Sequence, residues 1–151
     1  MGNLKIPFEV GDKAVFSKTI TETDVILYAG ITGDMSPPHT DQEYMSKTAL
    51  KACVAHGILT MGVSAATEFF LLSYGPKSQA LKDCGLSYLS YGYDKVRFIK
   101  PVFFGDTITA TYEMISIDNE KMRSVGRLTS VNQKGETVFA SEHIMVYFPP
   151  K

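Results

Sequence analysis

The sequence predicts an α+β fold in which one curved antiparallel sheet wraps around a single long buried helix. Three observations carry this. From Ala52 to Tyr74 the only formal charge, His56 aside, is Glu68, and the apolar residues surround a helix on nearly all sides, as in a helix buried on most of its faces. After Gly75-Pro76 the chain changes to segments rich in Tyr, Val, Ile and Phe, several of which alternate apolar and polar residues. Short polar turns join these segments, which implies antiparallel pairing. A length of 151 residues suggests one domain, residues 1–151, large enough for a proper core.

Taken in order, residues 13–20 alternate loosely and predict a first strand. Thr21-Glu22-Thr23-Asp24 predicts a helix start, with Thr21 as cap, acids in the first turn, and Ile20 and Val25 spaced as a hydrophobic staple. That helix should end near Gly30 and deliver the chain into Gly33–His39. Asp41 to Thr48 predicts another short helix, capped by Thr40 or Asp41. The long helix follows, at least one of Phe69 and Phe70 being expected fully buried. At about 17 residues, with an internal Glu and two glycines, it is too broken for a membrane span. Residues 76 to 87 read as a polar loop. Strands are then expected from Tyr88 to Ile99, Asp106 to Met114, Met122 to Val131 and Thr137 to Phe148. In the second of these, Ile108, Ala110, Tyr112 and Met114 share one phase; the phase flips at Ile115, which predicts a bulge or strand end. In the last, Val138, Ala140, Ile144, Val146 and Phe148 share a phase. His143 falls opposite them, so it is expected exposed or at an interface, with no role.

A net charge of −1 with scattered Lys and Arg gives no reason to expect nucleic acid or an anionic membrane as partner. Cys53 and Cys84 form no CxxC or zinc spacing and read as reduced thiols, and no leader pattern opens the chain, so a cytoplasmic protein is expected. No glycine-rich dinucleotide fingerprint, P-loop or Gly-x-Ser-x-Gly elbow is present.

Gly33-Asp34-Met35-Ser36-Pro37-Pro38-His39 is the segment that points to chemistry. Two prolines lock their own φ and keep the preceding residues out of the helical region, which predicts a stiff, extended loop. Such a loop holds Asp34 and His39 at a fixed separation, as acid/base chemistry requires. The same residues also fit a surface turn with a solvated His. His56-Gly57 stands at the start of the long helix, where unpaired N–H groups can stabilise an oxyanion and glycine admits a ligand to the backbone; a simple cap with a packed His56 fits as well.

Tyr28-Ala29-Gly30 and Gly33 through Asp41 resemble the signature of the MaoC-like or R-specific enoyl-CoA hydratase family, roughly Gly-Asp-x-Asn-Pro-x-His. Val54-Ala55-His56-Gly57-Ile58-Leu59 resembles its second block, and Val96-Arg97-Phe98-Ile99-Lys100-Pro101 through Asp106 its third. The resemblance implies a hot-dog fold and reversible hydration of trans-2-enoyl-CoA to (R)-3-hydroxyacyl-CoA without cofactor or metal. It implies Asp34 and His39 as the catalytic pair and Gly57 as the oxyanion donor, with Ser36 and His56 in the binding part of the site. It implies an acyl-CoA or acyl-carrier thioester as substrate and at least a homodimer, since family members pair two sheets edge to edge. Ser36 stands where the family has Asn, whose amide orients the carboxylate; Ser offers one donor on a shorter arm. A hot-dog thioesterase and a non-catalytic acyl-CoA-binding module are the alternatives.

Overall fold

The computed structural model describes residues 4–150. Its elements are β1 (Lys13–Thr19), α1 (Glu22–Thr32), α2 (Pro37–Thr40), α3 (Gln42–Ser46), α4 (Gly57–Tyr74), α5 (Ser78–Asp83), β2 (Ser87–Phe98), β3 (Thr107–Asp118), β4 (Arg123–Val131) and β5 (Thr137–Phe148). The strands form one sheet in the order β1-β3-β4-β5-β2, every neighbouring pair antiparallel. The chain crosses from one sheet edge to the other through the helices, so β1 and β2 are the outer strands, each paired on one side only.

Local chemistry sets most boundaries. Thr21 caps α1 as expected, and Asp24 answers it to complete a reciprocal capping box; the staple residues Ile20 and Val25 are fully buried. α1 runs two residues beyond Gly30 and stops at Gly33, whose φ of 79° is the left-handed C-cap that glycine adopts without strain. Asp41 caps α3. The inward phase of β3 is Ile108, Ala110, Tyr112 and Met114, and its register slips between Met114 and Ser116, where the pattern flips. α5 occupies the stretch expected as loop; its only buried residue is Leu81.

Three expectations are corrected. Gly33–His39 is not extended throughout: Ser36 stays extended, but Pro37 and Pro38 open a helical turn that carries His39. Proline fits there because a first-turn N–H has no intrahelical partner to lose. The long helix is not buried on most sides. Its buried residues are Thr60, Ser64, Thr67, Leu71 and Leu72, one face laid chiefly across β1 and β3. Neither Phe69 nor Phe70 is fully buried: Phe69 is 53% exposed, and Phe70 is half-buried, stacked on Phe16 of β1 with ring centroids 4.8 Å apart. Finally, β5 faces inward with Phe139, Ser141, His143, Met145 and Tyr147, so His143 is wholly buried. Both faces of β5 are apolar enough that alternation alone misassigns it. The inward phase also brings His143 against Glu68 on α4, whose carboxylate lies 2.7 Å from His143 Nδ1.

The layer between α4 and the sheet is unusually polar. Ser64 Oγ bonds the Thr60 carbonyl and the Ser130 hydroxyl, each at 2.7 Å, and Ser124 bonds the Tyr147 phenol. By length and composition α4 could cross a membrane, with a mean hydropathy of 1.3 over 18 residues. Its hydroxyl face is instead turned to the sheet, where Ser64 bonds Ser130 of β4.

Candidate active site

Asp34 and His39 lie where α1 and α2 meet the segment leading into α4. Each is held by its own local geometry. The left-handed Gly33 turns the chain out of α1, and Ser36 folds back on Asp34: the Ser36 hydroxyl donates to Asp34 Oδ1 at 2.5 Å and the Ser36 amide at 3.2 Å. These two donors, the hydroxyl first, hold the Asp34 carboxyl below the usual carboxylate range. The second oxygen, Oδ2, is left without a hydrogen-bond donor among the described residues; the Asp34 side chain is half exposed.

His39 is clamped to the strand-like run before α4. The Val54 amide donates to the Pro38 carbonyl at 3.0 Å, and His39 Nδ1 lies 2.7 Å from the Val54 carbonyl. A carbonyl only accepts, so Nδ1 carries the hydrogen and Nε2 keeps its lone pair. Neutral His39 is thereby fixed in the tautomer that can take a proton at Nε2.

His56, the residue before α4, is buried behind this pair. Its ring stacks on His39 with centroids 3.7 Å apart and packs obliquely against Tyr28. Its Nε2 donates to the Asp34 carbonyl at 2.9 Å and lies 3.7 Å from Asp34 Oδ2. His56 thus ties the backbone of one member of the pair to the ring of the other. Asp34, His39 and His56 offer donor atoms within 4.8 Å of one another, a separation that could hold a metal ion. Two of the four ring nitrogens, His39 Nδ1 and His56 Nε2, are already engaged with carbonyls; of the other two, His56 Nδ1 is buried without a partner among the described residues, and His39 Nε2 is left, with the Asp34 carboxylate, for anything placed between them.

Gly57 is the first residue of α4, so its N–H has no intrahelical acceptor. A Cβ there would meet the Phe98 ring at 3.0 Å, so glycine is what lets β2 close over the helix start. A hollow of about 190 Å³ opens beside Gly57, lined among others by Thr60, Phe98, Pro101 and Val138, and one of about 160 Å³ opens beside His39, lined by Ile26, Gln42, Cys53 and Phe104. The sequence-predicted residues Asp34, Ser36, His39, His56 and Gly57 therefore gather in one region. The Val54 carbonyl and the Phe98 ring complete it. Neither was predicted: a backbone carbonyl leaves no signal in a sequence, and Phe98 reads as one more strand aromatic.

The pattern described as "MaoC like domain" matches residues 7–135. The (R)-specific enoyl-CoA hydratase of Rhodospirillum rubrum is 33% identical over 132 residues, covering 87% of this chain and 83% of that protein. Among solved structures, the R-hydratase PhaJ1 of Pseudomonas aeruginosa superposes with a TM-score of 0.74 at 30% identity, covering 97% of this chain and 87% of that one. A protein of Archaeoglobus fulgidus described as a monoamine oxidase regulatory protein superposes with a TM-score of 0.79 at 31% identity, covering 95% and 93%.

Proposed function

The chain belongs to the MaoC-like domain family and has its hot-dog fold, and on that premise we propose that it catalyses the reversible hydration of a trans-2-enoyl thioester to the (R)-3-hydroxyacyl thioester, with Asp34 and His39 as the catalytic pair. The observation that carries this reading is the fixed tautomer of His39, which leaves Nε2 basic on a ring that has a nitrogen within 4.8 Å of a carboxylate oxygen of Asp34, held below the usual carboxylate range chiefly by Ser36. A water between them donates one hydrogen to the Asp34 carboxylate and the other to His39 Nε2. The thioester carbonyl accepts from the Gly57 N–H, which draws electron density from the β-carbon, a type of interaction worth about 2.7–4 kcal/mol per donor. The water oxygen bonds to the β-carbon as its proton passes to His39. The negative charge moves to the carbonyl oxygen, and the proton returns from His39 to the α-carbon. Ionised Asp34 stabilises the transient imidazolium, and His56 positions both groups. Dehydration is the same path reversed.

No metal or organic cofactor enters this reading, because a thioester carbonyl needs only hydrogen-bond polarisation to make its β-carbon electrophilic. The free thiols of Cys53 and Cys84 fit a cytoplasmic setting. The unpaired sheet edges support at least a homodimer. Crotonyl-CoA separates the readings: hydration removes the enoyl absorbance without thiol release, a thioesterase releases thiol, and a binding module does neither. An absorbance that stays constant with every enoyl thioester refutes the proposal.

Ser36 supplies a sharper test. Ser36→Ala removes the donor chiefly responsible for lowering the Asp34 pKa, so that pKa rises. The carboxylate form is then lost at higher pH, and the acid limb of kcat/KM moves up the pH axis. Ser36→Asn restores a donor and changes kcat/KM by less than about tenfold, or 1.4 kcal/mol. An acid limb that stays in place in Ser36→Ala means that Asp34 is not the group titrating.

A further inference from the structure

Gln42, the first residue of α3, takes no part in the chemistry above, yet its side chain is tied to the segment that fixes His39. Its Oε1 accepts from the Cys53 amide at 3.1 Å, and its Nε2 donates to the Lys51 carbonyl at 3.3 Å. An amide side chain is the group that can accept from one backbone position and donate to another two residues away. The residue after Cys53 is Val54, whose carbonyl accepts from His39 Nδ1 at 2.7 Å. The helix that carries Gln42 is itself fixed, capped by Asp41 and anchored by buried Met45.

The bracketed segment needs restraint. Lys51 has a φ of 63°, the left-handed region, where a side chain crowds its own carbonyl and only glycine sits without strain. Freed of its neighbours, Lys51 relaxes out of that region and redirects the chain entering Cys53. Packing leaves room for this movement: a hollow of about 160 Å³ adjoins the segment, lined by Gln42, Cys53 and His39 with Ile26 and Phe104. Downstream, the Val54 amide on the Pro38 carbonyl and the Ala55 amide on the Val102 carbonyl hold the chain. Upstream, the side-chain hydrogen bonds made by Lys51 and Cys53 among the described residues both come from Gln42.

We propose that Gln42 is a positioning residue: by holding the left-handed turn at Lys51 it keeps the Val54 carbonyl on His39 Nδ1, and so keeps Nε2 the basic nitrogen. Which ring nitrogen carries the hydrogen is set by the bond the other makes. With the Val54 carbonyl displaced, the hydrogen is free to sit on Nε2, and that form accepts no proton there. The effect of Gln42 on turnover rests on the hydration reading; its effect on the tautomer does not.

The test uses the full-length protein with isotope-labelled histidine rings. Long-range proton–nitrogen NMR, at a pH where the rings are neutral, reads the tautomers, and the signals missing from His39→Ala assign His39. The wild type carries the hydrogen on Nδ1. Gln42→Ala replaces this single form by a mixture with the Nε2–H tautomer, and kcat for crotonyl-CoA falls at least about tenfold while KM stays within about threefold, since a small displacement of a proton-transfer group costs rate. Gln42→Glu still accepts from the Cys53 amide but has no hydrogen for the Lys51 carbonyl, and falls between the two. Lys51→Gly placed in the Gln42→Ala chain removes the strain and restores the Nδ1–H form with most of kcat. A Gln42→Ala protein that keeps the wild-type tautomer, that changes tautomer without loss of kcat, or that Lys51→Gly fails to rescue overturns the proposal. A wild type that hydrates no enoyl thioester overturns the hydration reading instead, and the tautomer of Gln42→Ala then decides alone whether Gln42 positions His39.

Discussion

Asp34→Asn and His39→Ala each lower kcat for enoyl-thioester hydration by at least about two orders of magnitude, the scale expected for removing a group that moves a proton in the transition state. Asp34→Asn keeps the shape of the side chain and the oxygen that Ser36 contacts, but loses the charge that balances an imidazolium on His39. His39→Ala removes the basic ring nitrogen that the Nδ1 bond to the Val54 carbonyl leaves free, whereas the basic Nδ1 of His56, whose Nε2 is held by the Asp34 carbonyl, is buried. Neither change should unfold the protein. Asp34 is half exposed, and the Val54 carbonyl released by His39→Ala can be reached by water. The two residues act on one water, so their effects will not add, and the double variant falls little below the slower single variant. Near wild-type turnover in either variant, with circular dichroism unchanged, removes this pair from the mechanism.

The part of this site most legible in sequence is the one whose members are close in sequence. Asp34, Ser36 and His39 share one short segment, and the left-handed Gly33 and the two prolines that shape it are visible as letters. The turn carrying His39 reads as extended in sequence because consecutive prolines permit either state, and only the Val54–Pro38 and His39–Val54 hydrogen bonds decide between them. His56 was legible as a helix-start residue, but its stack on His39 and its bond to the Asp34 carbonyl depend on tertiary placement. The fold divides in the same way. The Thr21 cap of α1, the turns and the β3 bulge rest on neighbours in the chain and are readable there. The inward face of β5 was not. A buried histidine looks like a surface residue until its partner is known, and Glu68 lies on another element, far along the chain.

The docked face of α4 leads to the largest stability effect. A helix with apolar residues nearly all round does not declare which stripe meets the sheet. The structure gives that stripe to Thr60, Ser64, Thr67 and Leu71, with Leu72 beside it, and turns Phe69 outward against the edges of Phe70 and Tyr74. Leu71 is 1% exposed. Leu71→Ala will therefore cost about 2–5 kcal/mol, the transfer free energy of the lost methyl groups plus the cavity left behind. For a chain of this size each kcal/mol lowers Tm by roughly 2–4 °C, so the fall should lie between roughly 4 and 20 °C. Phe69→Ala deletes a larger side chain but a half-exposed one, and should cost less than about 1 kcal/mol. Side-chain size alone would rank the two variants the other way, so differential scanning calorimetry on the pair reads out orientation directly. A Phe69→Ala variant that melts well below Leu71→Ala would mean that the opposite face of α4 is docked on the sheet, and the Glu68–His143 contact would fall with it.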